Sequence, residues 1–246
     1  MAYSERKSRL KATYQPREEW WSRVFATPIA YLLLMAVADW RCITPNRLTI
    51  LSFGLTILSG LLILGDSAAS LGLAGIALQI AYIIDCMDGQ LARYRGVSSK
   101  LGSLLDKWSD FVKFPFVIVA LSIQASNHQP ATTPIVLGLI AIFLIGYQPY
   151  LKLIAFKECA IEPWNIFSGK DFLQRNLRFF LFEEAQWYLI VSICLFSNEV
   201  MMALMILVAT QGTIAIAQTC WVFWSVAHLE NGTPSDTNST PSPKAK

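Results

Sequence analysis

Hydrophobic positions in this chain come in long blocks. Apolar stretches lie near residues 47–65, 70–94, 101–124, 133–156, 179–196 and 200–227. Each is close to the ~20 residues an α-helix needs to cross a bilayer core of roughly 30 Å. Short polar breaks separate most of them: Gly65-Asp66-Ser67, Ser126 to Pro130, and Ser197-Asn198-Glu199. A longer polar stretch covers about 157–178. An earlier apolar block, 24–40, is shorter and stops at Asp39-Trp40-Arg41, after which Thr44-Pro45-Asn46 offers a helix start with proline in the first turn. The pattern predicts an all-α polytopic membrane protein with six transmembrane helices, preceded by an interfacial helix on the cytoplasmic side.

Composition agrees: 54% of the 246 residues are hydrophobic and 15% charged, against about a quarter charged in soluble domains. The net charge of +3 says little about partners, and nothing points to a nucleic acid. Its distribution says more. The breaks near 66–69, 125–132 and 197–199 lack Lys and Arg. The opposite ends hold Arg93, Arg95, Lys100, Lys152, Lys157, Lys170, Arg175, Arg178 and a basic N-terminal arm with Arg6, Lys7, Arg9, Lys11, Arg17 and Arg23. Six spans with both termini in the cytoplasm satisfy the positive-inside rule. A seventh span at 24–40 is the alternative; it would put Arg41 and Arg47 across the membrane from Arg23 and invert every later loop. Trp20 and Trp21 suit a membrane interface. Three regions follow: a cytoplasmic arm at 1–23, a membrane domain at 24–228, and a tail at 229–246 whose Pro, Ser, Thr, Asn and Gly content predicts disorder. In a cytoplasmic tail the acceptor patterns at Asn231 and Asn238 stay unglycosylated. The arm lacks a signal-peptide apolar run, and the five scattered cysteines form no CxxC pair, so neither a zinc site nor a disulfide framework is indicated. A bacterial inner membrane and an endoplasmic-reticulum-type membrane both fit.

The chemistry concentrates between residues 85 and 110. Asp85, Asp88, Gly89 and Ala92 stand at i, i+3, i+4 and i+7, on one helix face. Asp106 and Asp110 are one turn apart, and Gly102 precedes them by a turn on the same face. Two helices joined by a turn near 95–100 can set these faces opposite one another, and the small residues let the backbones approach. A carboxylate near a membrane core costs roughly 2.5–3.5 kcal/mol on insertion scales, so four of them call for a cation. They could serve as helix-end charges paired with Lys100, Lys107 and Lys113. Alternatively, their hard oxygens suit Mg²⁺ or Mn²⁺. Two such ions could stabilise both entering and leaving oxygens in a phosphate displacement, with Arg93 as a fork for phosphate oxygens.

The run Asp85-x-x-Asp88-Gly89-x-x-Ala92-Arg93, then eight residues to Gly102, three to Asp106 and three to Asp110, resembles the signature of the CDP-alcohol phosphatidyltransferase family at every defined position. The resemblance implies six transmembrane helices, a homodimer and two divalent ions per site. It implies Asp85, Asp88, Asp106 and Asp110 as metal ligands, Asp110 also as the general base, and Gly89, Ala92, Arg93 and Gly102 as nucleotide-binding positions. Asn46 and Thr49 at the start of the first span resemble the family more weakly; a structural role is open for both. The implied reaction is attack of an acceptor hydroxyl on the β-phosphorus of CDP-diacylglycerol, with release of CMP. A basic set of Lys152, Lys157, Lys170, Arg175 and Arg178 could bind an acidic acceptor such as a polyol or inositol phosphate, or could be a snorkelling, positive-inside set. Two other readings compete. One reverses the polarity, with a CDP-choline or CDP-ethanolamine donor and diacylglycerol as acceptor. The other is a cation transporter, against which stand the position of the acids at helix ends and the lack of a visible repeat.

Overall fold

The computed structural model describes residues 3–14, 19–97, 99–159 and 184–231, and all regular structure among them is helical. In chain order these are α1 (Tyr3–Lys11), a single π-helical turn (Ser22–Ala26), α2 (Thr27–Val37), α3 (Pro45–Ile63), α4 (Ala68–Arg95), α5 (Lys100–Ser126), α6 (Thr132–Cys159), α7 (Glu184–Phe196) and α8 (Val200–Asn231). Five of them, α3, α4, α5, α6 and α8, are long and apolar enough to cross a membrane. Large apolar side chains such as Leu139, Phe143, Ile216 and Phe223 face outward, as lipid contact requires and water would penalise. The described chain is therefore an all-helical integral membrane protein. α7 has 13 described residues, fewer than a full crossing needs. The helix of α8 continues to Asn231, past the boundary expected at 228. Arg175, Arg178 and Lys170 lie outside the described residues, as do the tail beyond 231 and most of the polar stretch before α7.

Short polar side chains set the helix starts. Thr44, Ser67 and Ser99 are each extended, and each accepts a hydrogen bond from the backbone N–H three residues on, at 3.4, 3.1 and 2.9 Å. This satisfies donors that the first helical turn leaves without partners. Pro45 takes the first position of α3, where its missing N–H costs nothing. At the far end of α4, Gly96 adopts φ +62°, a left-handed cap that glycine enters without a Cβ penalty. The chain then turns within a few residues into α5, and this brings the two halves of the acidic signature together.

α3 packs along α4 and α5, α6 joins α5 and α8, and α7 lies against α4. Close approach depends on small residues: a Cβ on Gly60 would stand 2.5 Å from the Phe116 ring, and one on Gly138 2.0 Å from Ser122 Oγ. α3 carries a stripe of buried hydroxyls, Thr49, Ser52, Thr56 and Ser59. Ser52 and Ser59 donate to the α4 carbonyls of Ala81 and Ala74, at 2.9 and 2.8 Å. In an apolar interior each such hydroxyl needs a partner, and these partners tie α3 to α4 in register.

The basic arm is more than a charged leader. Residues 3–11 form α1, and Leu10 on it is fully buried with Ala30, Leu34, Leu91 and Tyr94. Arg6 donates to the Met35 carbonyl at 2.8 Å and pairs with Asp39. Arg9 donates to the Tyr94 carbonyl at 3.1 Å and lies over the Tyr94 ring. Charge dominates α1 as read from sequence, so its one deeply buried leucine and its docking on α2 and α4 went unread. Trp21 is half-buried: it stacks on Phe25 and donates from Nε1 to Gln79 Oε1 at 3.3 Å.

Candidate active site

The signature residues meet where α4 ends and α5 begins. α4 presents Asp85 and Asp88; α5 returns antiparallel with Asp106 and Asp110. One carboxylate oxygen from each of Asp85, Asp88 and Asp106 lies within 4.8 Å of the other two. Two ligands across an octahedral Mg²⁺ stand about 4.2 Å apart, so modest adjustment would let one ion take all three. The donor set is wholly carboxylate, which suits a hard divalent ion such as Mg²⁺ or Mn²⁺. These residues fit the ion that the signature implies.

α3 supplies outer contacts that orient the carboxylates. Thr49 Oγ1 donates to Asp88 Oδ2 at 2.6 Å, and Ser52 Oγ reaches Asp85 Oδ1 at 3.3 Å. Thr49 therefore has a defined place beside the aspartates. Asn46 sits close to the other half of the signature, because a Cβ on Gly102 would stand 3.0 Å from Asn46 Oδ1. Phe53 of α3 and Trp108 of α5 pack with ring centroids 5.6 Å apart and hold the two helices at this level. Gly89 lies beside the Arg93 guanidinium, where a Cβ would meet Nη1 at 3.2 Å. Arg93 Nε donates to the Thr13 carbonyl at 2.9 Å, so the arm reaches the edge of this site.

Two residues were not singled out for the site in the sequence. Ser52 could have been found as the member of the α3 hydroxyl stripe one turn beyond Thr49. Lys113 was read only as one of three possible charge partners. It is the partner the structure provides: fully buried, with Nζ 3.1 Å from Asp85 Oδ1 and 2.7 Å from Asp110 Oδ1. Four carboxylates thus face one buried ammonium, and negative charge is in surplus. Lys152 is half-buried on α6 and Lys157 is exposed near its end. Among the described residues, neither is a hydrogen-bond or ion-pair partner of the four aspartates. Ala92 is half-buried on α4 one turn beyond Asp88.

Residues 42–159, which hold the whole acidic centre, match the family model of the CDP-alcohol phosphatidyltransferases. This segment belongs to that family. The phosphatidyltransferase segment is also similar to curated relatives. Over 129 residues the chain is 44% identical to a bifunctional IPC transferase and DIPP synthase of Thermococcus kodakarensis, covering 52% of this chain and 27% of the relative. Over 106 residues it is 31% identical to an archaetidylinositol phosphate synthase of Pyrococcus horikoshii, covering 43% of this chain and 53% of the relative. The chain thus spans between about a quarter and about half of the length of these relatives. Phosphatidylinositol phosphate synthase of Mycobacterium tuberculosis shares the fold. Its crystal structure with CDP-DAG bound superposes with TM-score 0.59 at 19% identity, covering 81% of this chain and 94% of that one. Its complex with manganese and citrate gives TM-score 0.59 at 18% identity, covering 90% and 96%.

Proposed function

We propose that this protein transfers a phosphatidyl group from CDP-diacylglycerol to a small hydroxylated acceptor of the inositol phosphate class, releasing CMP. The observation that carries the proposal is the meeting of carboxylates from both halves of the signature: Asp85 and Asp88 from α4, and Asp106 from α5, within 4.8 Å. The relatives' names support the acceptor class, and the CDP-DAG bound to the Mycobacterium tuberculosis protein supports the donor.

In this reading Asp85, Asp88, Asp106 and Asp110 hold two divalent ions, which neutralise the diphosphate when bound. Arg93 and the small residues Gly89, Ala92 and Gly102 border the donor's phosphates and nucleotide. Thr49 and Ser52 hold Asp88 and Asp85 in orientation through the contacts described, and Asn46 lines the space beside Gly102. Asp110 accepts the proton of the attacking hydroxyl. Lys113 engages its Oδ1, which leaves Oδ2 for that proton. The acceptor oxygen forms a new bond to the β-phosphorus, the bond to the bridging oxygen breaks, and CMP departs with the electron pair. Lys152, Lys157, Arg175 and Arg178 are the candidates for the acceptor's phosphate. Six spans with both termini and the active site on the cytoplasmic side, and a homodimeric assembly, belong to the same proposal.

The test is CMP release from the purified protein in detergent, crossing CDP-diacylglycerol and CDP-choline with inositol phosphate, inositol, glycerol phosphate and diacylglycerol. CMP from CDP-diacylglycerol and inositol phosphate, abolished by a chelator and restored by Mg²⁺ or Mn²⁺, is the expected result. Consumption of CDP-choline with diacylglycerol instead would reverse the polarity. Absence of metal-dependent CMP release from every pair would sink the proposal.

A further inference from the structure

We propose that Lys113 is a resident cation of the metal centre, holding the place of the second divalent ion until that ion displaces or crowds it. The inference rests on the reading of the aspartates as a divalent-metal site. It adds an inequality between the two ions, and a residue that causes it.

The four carboxylates do not form a uniform ring. Asp85, Asp88 and Asp106 cluster within 4.8 Å, and Asp110 is not part of that cluster. The edge that Asp110 shares with Asp85 is spanned by Lys113 Nζ, 2.7 Å from one and 3.1 Å from the other. Lys113 has 0% exposure. Its ammonium lies 5.3 Å from the Phe114 ring centroid and 5.8 Å from that of Tyr188, within the range where a ring face attracts a cation. These contacts hold the charge inside the bundle. A lysine is suited to this because its ammonium is a compact point charge on a flexible stem.

Asp110 Oδ1 is buried and faces Lys113 Nζ at 2.7 Å. An oxygen placed in this way can serve a metal ion as readily as an ammonium. A second divalent ion must therefore share Asp85 and Asp110 with a positive charge only a few Å distant, and like charges at such range repel strongly where water is scarce. The first ion, on Asp85, Asp88 and Asp106, meets that charge only through Asp85. One ion binds tightly to the donor-free protein and the second binds weakly. The donor's diphosphate adds the negative charge that recruits the second. Lys113 thereby acts as a positioning residue that links full metal loading to the presence of donor.

The test is Mn²⁺ binding to the purified full chain in detergent without donor, followed by calorimetry and electron paramagnetic resonance. Wild type is expected to bind one ion tightly, with an uncoupled six-line spectrum, and a second at least about tenfold more weakly. Lys113→Met should raise the affinity for the second ion by roughly tenfold or more, giving a spin-coupled pair at low Mn²⁺. Lys113→Arg keeps the charge and should keep the gap. Two ions of equal affinity in wild type would overturn the inference, as would an unchanged second site in folded Lys113→Met. If Lys113→Met does not fold, the wild-type isotherm decides alone. CMP release measured in parallel separates the two readings. Metal-dependent release with two equal ions defeats only the role of Lys113; absence of both Mn²⁺ binding and release defeats the metal-site reading itself.

Discussion

The two ends of the α4–α5 pair both carry aspartate, and they treat it oppositely. At the turn before α4, Asp66 adopts φ +50° and accepts from Gln124 Nε2 at 2.9 Å, with His128 Nε2 2.7 Å away. One carboxylate there meets one partner from the end of α5 and one from the turn after it, and the His128 hydrogen bond above all holds the Asp66 carboxyl below its ordinary range. At the opposite end four carboxylates gather, and the lysine ammonium of Lys113 pairs with two of them, Asp85 and Asp110. A balanced aspartate ties two turns together. A surplus of aspartates, assembled where solvation is poor, demands a cation from outside the chain. The contrast separates a paired acid from acids left in surplus without appeal to position in the sequence.

Three experiments press on that contrast, and the largest effect belongs to the crowded end. Asp85→Ala or Asp106→Ala should reduce CMP release by at least ~10³-fold, whereas Asp110→Asn should retain binding of radiolabelled donor yet lose turnover. Normal activity in purified Asp85→Ala would remove the functional meaning of the cluster. An intermediate effect is expected one layer out. Thr49→Ala removes the 2.6 Å hydrogen bond to Asp88 and should raise the Mn²⁺ concentration for half-maximal activity by about 10- to 100-fold. An unchanged metal requirement would mean that Asp88 needs no such support. The smallest effect on catalysis belongs to the balanced end, where Asp66→Asn should leave CMP release within about twofold. Its signature is in stability against pH. A carboxyl with a lowered folded-state pKa contributes stability above its unfolded value, and that contribution is lost as pH falls through the folded value. Thermal unfolding in detergent should therefore show wild type losing, at acid pH, an advantage over Asp66→Asn that it holds near neutrality. A constant offset across the pH range would show that the Asp66 contacts do not act through its charge.

Much of the helical frame was visible before the structure because lipid imposes a length. The blocks near 47–65, 70–94, 101–124, 133–156 and 200–227 correspond to α3, α4, α5, α6 and α8, with ends displaced by a few residues. The ends shift because caps decide them: Thr44, Ser67 and Ser99 are polar and fall outside an apolar count, yet they start the helices. The meeting of Asp85, Asp88 and Asp106 was also legible, since helical spacing places each pair on a face and a short turn folds one face onto the other. The arm was not legible in the same way. Its high charge conceals Leu10, and only contact with α2 and α4 reveals that α1 is docked. Arg93 reads from the sequence as a positive-inside residue and a candidate for the donor's phosphates and nucleotide, and nothing in that pattern announces the hydrogen bond from its Nε to the Thr13 carbonyl.

Local periodicity and covalent order were enough to specify the acidic faces, because residues three or four apart in a helix share a side regardless of what surrounds them. Which basic group would answer those acids was settled by packing. Lys107 and Lys113 each stand three residues from Asp110, but the seating of α4, α5 and α7 buries Lys113 between Asp85 and Asp110. The strength of a charge pair depends on distance and local dielectric, and both are properties of the assembled helices rather than of the order of residues along the chain.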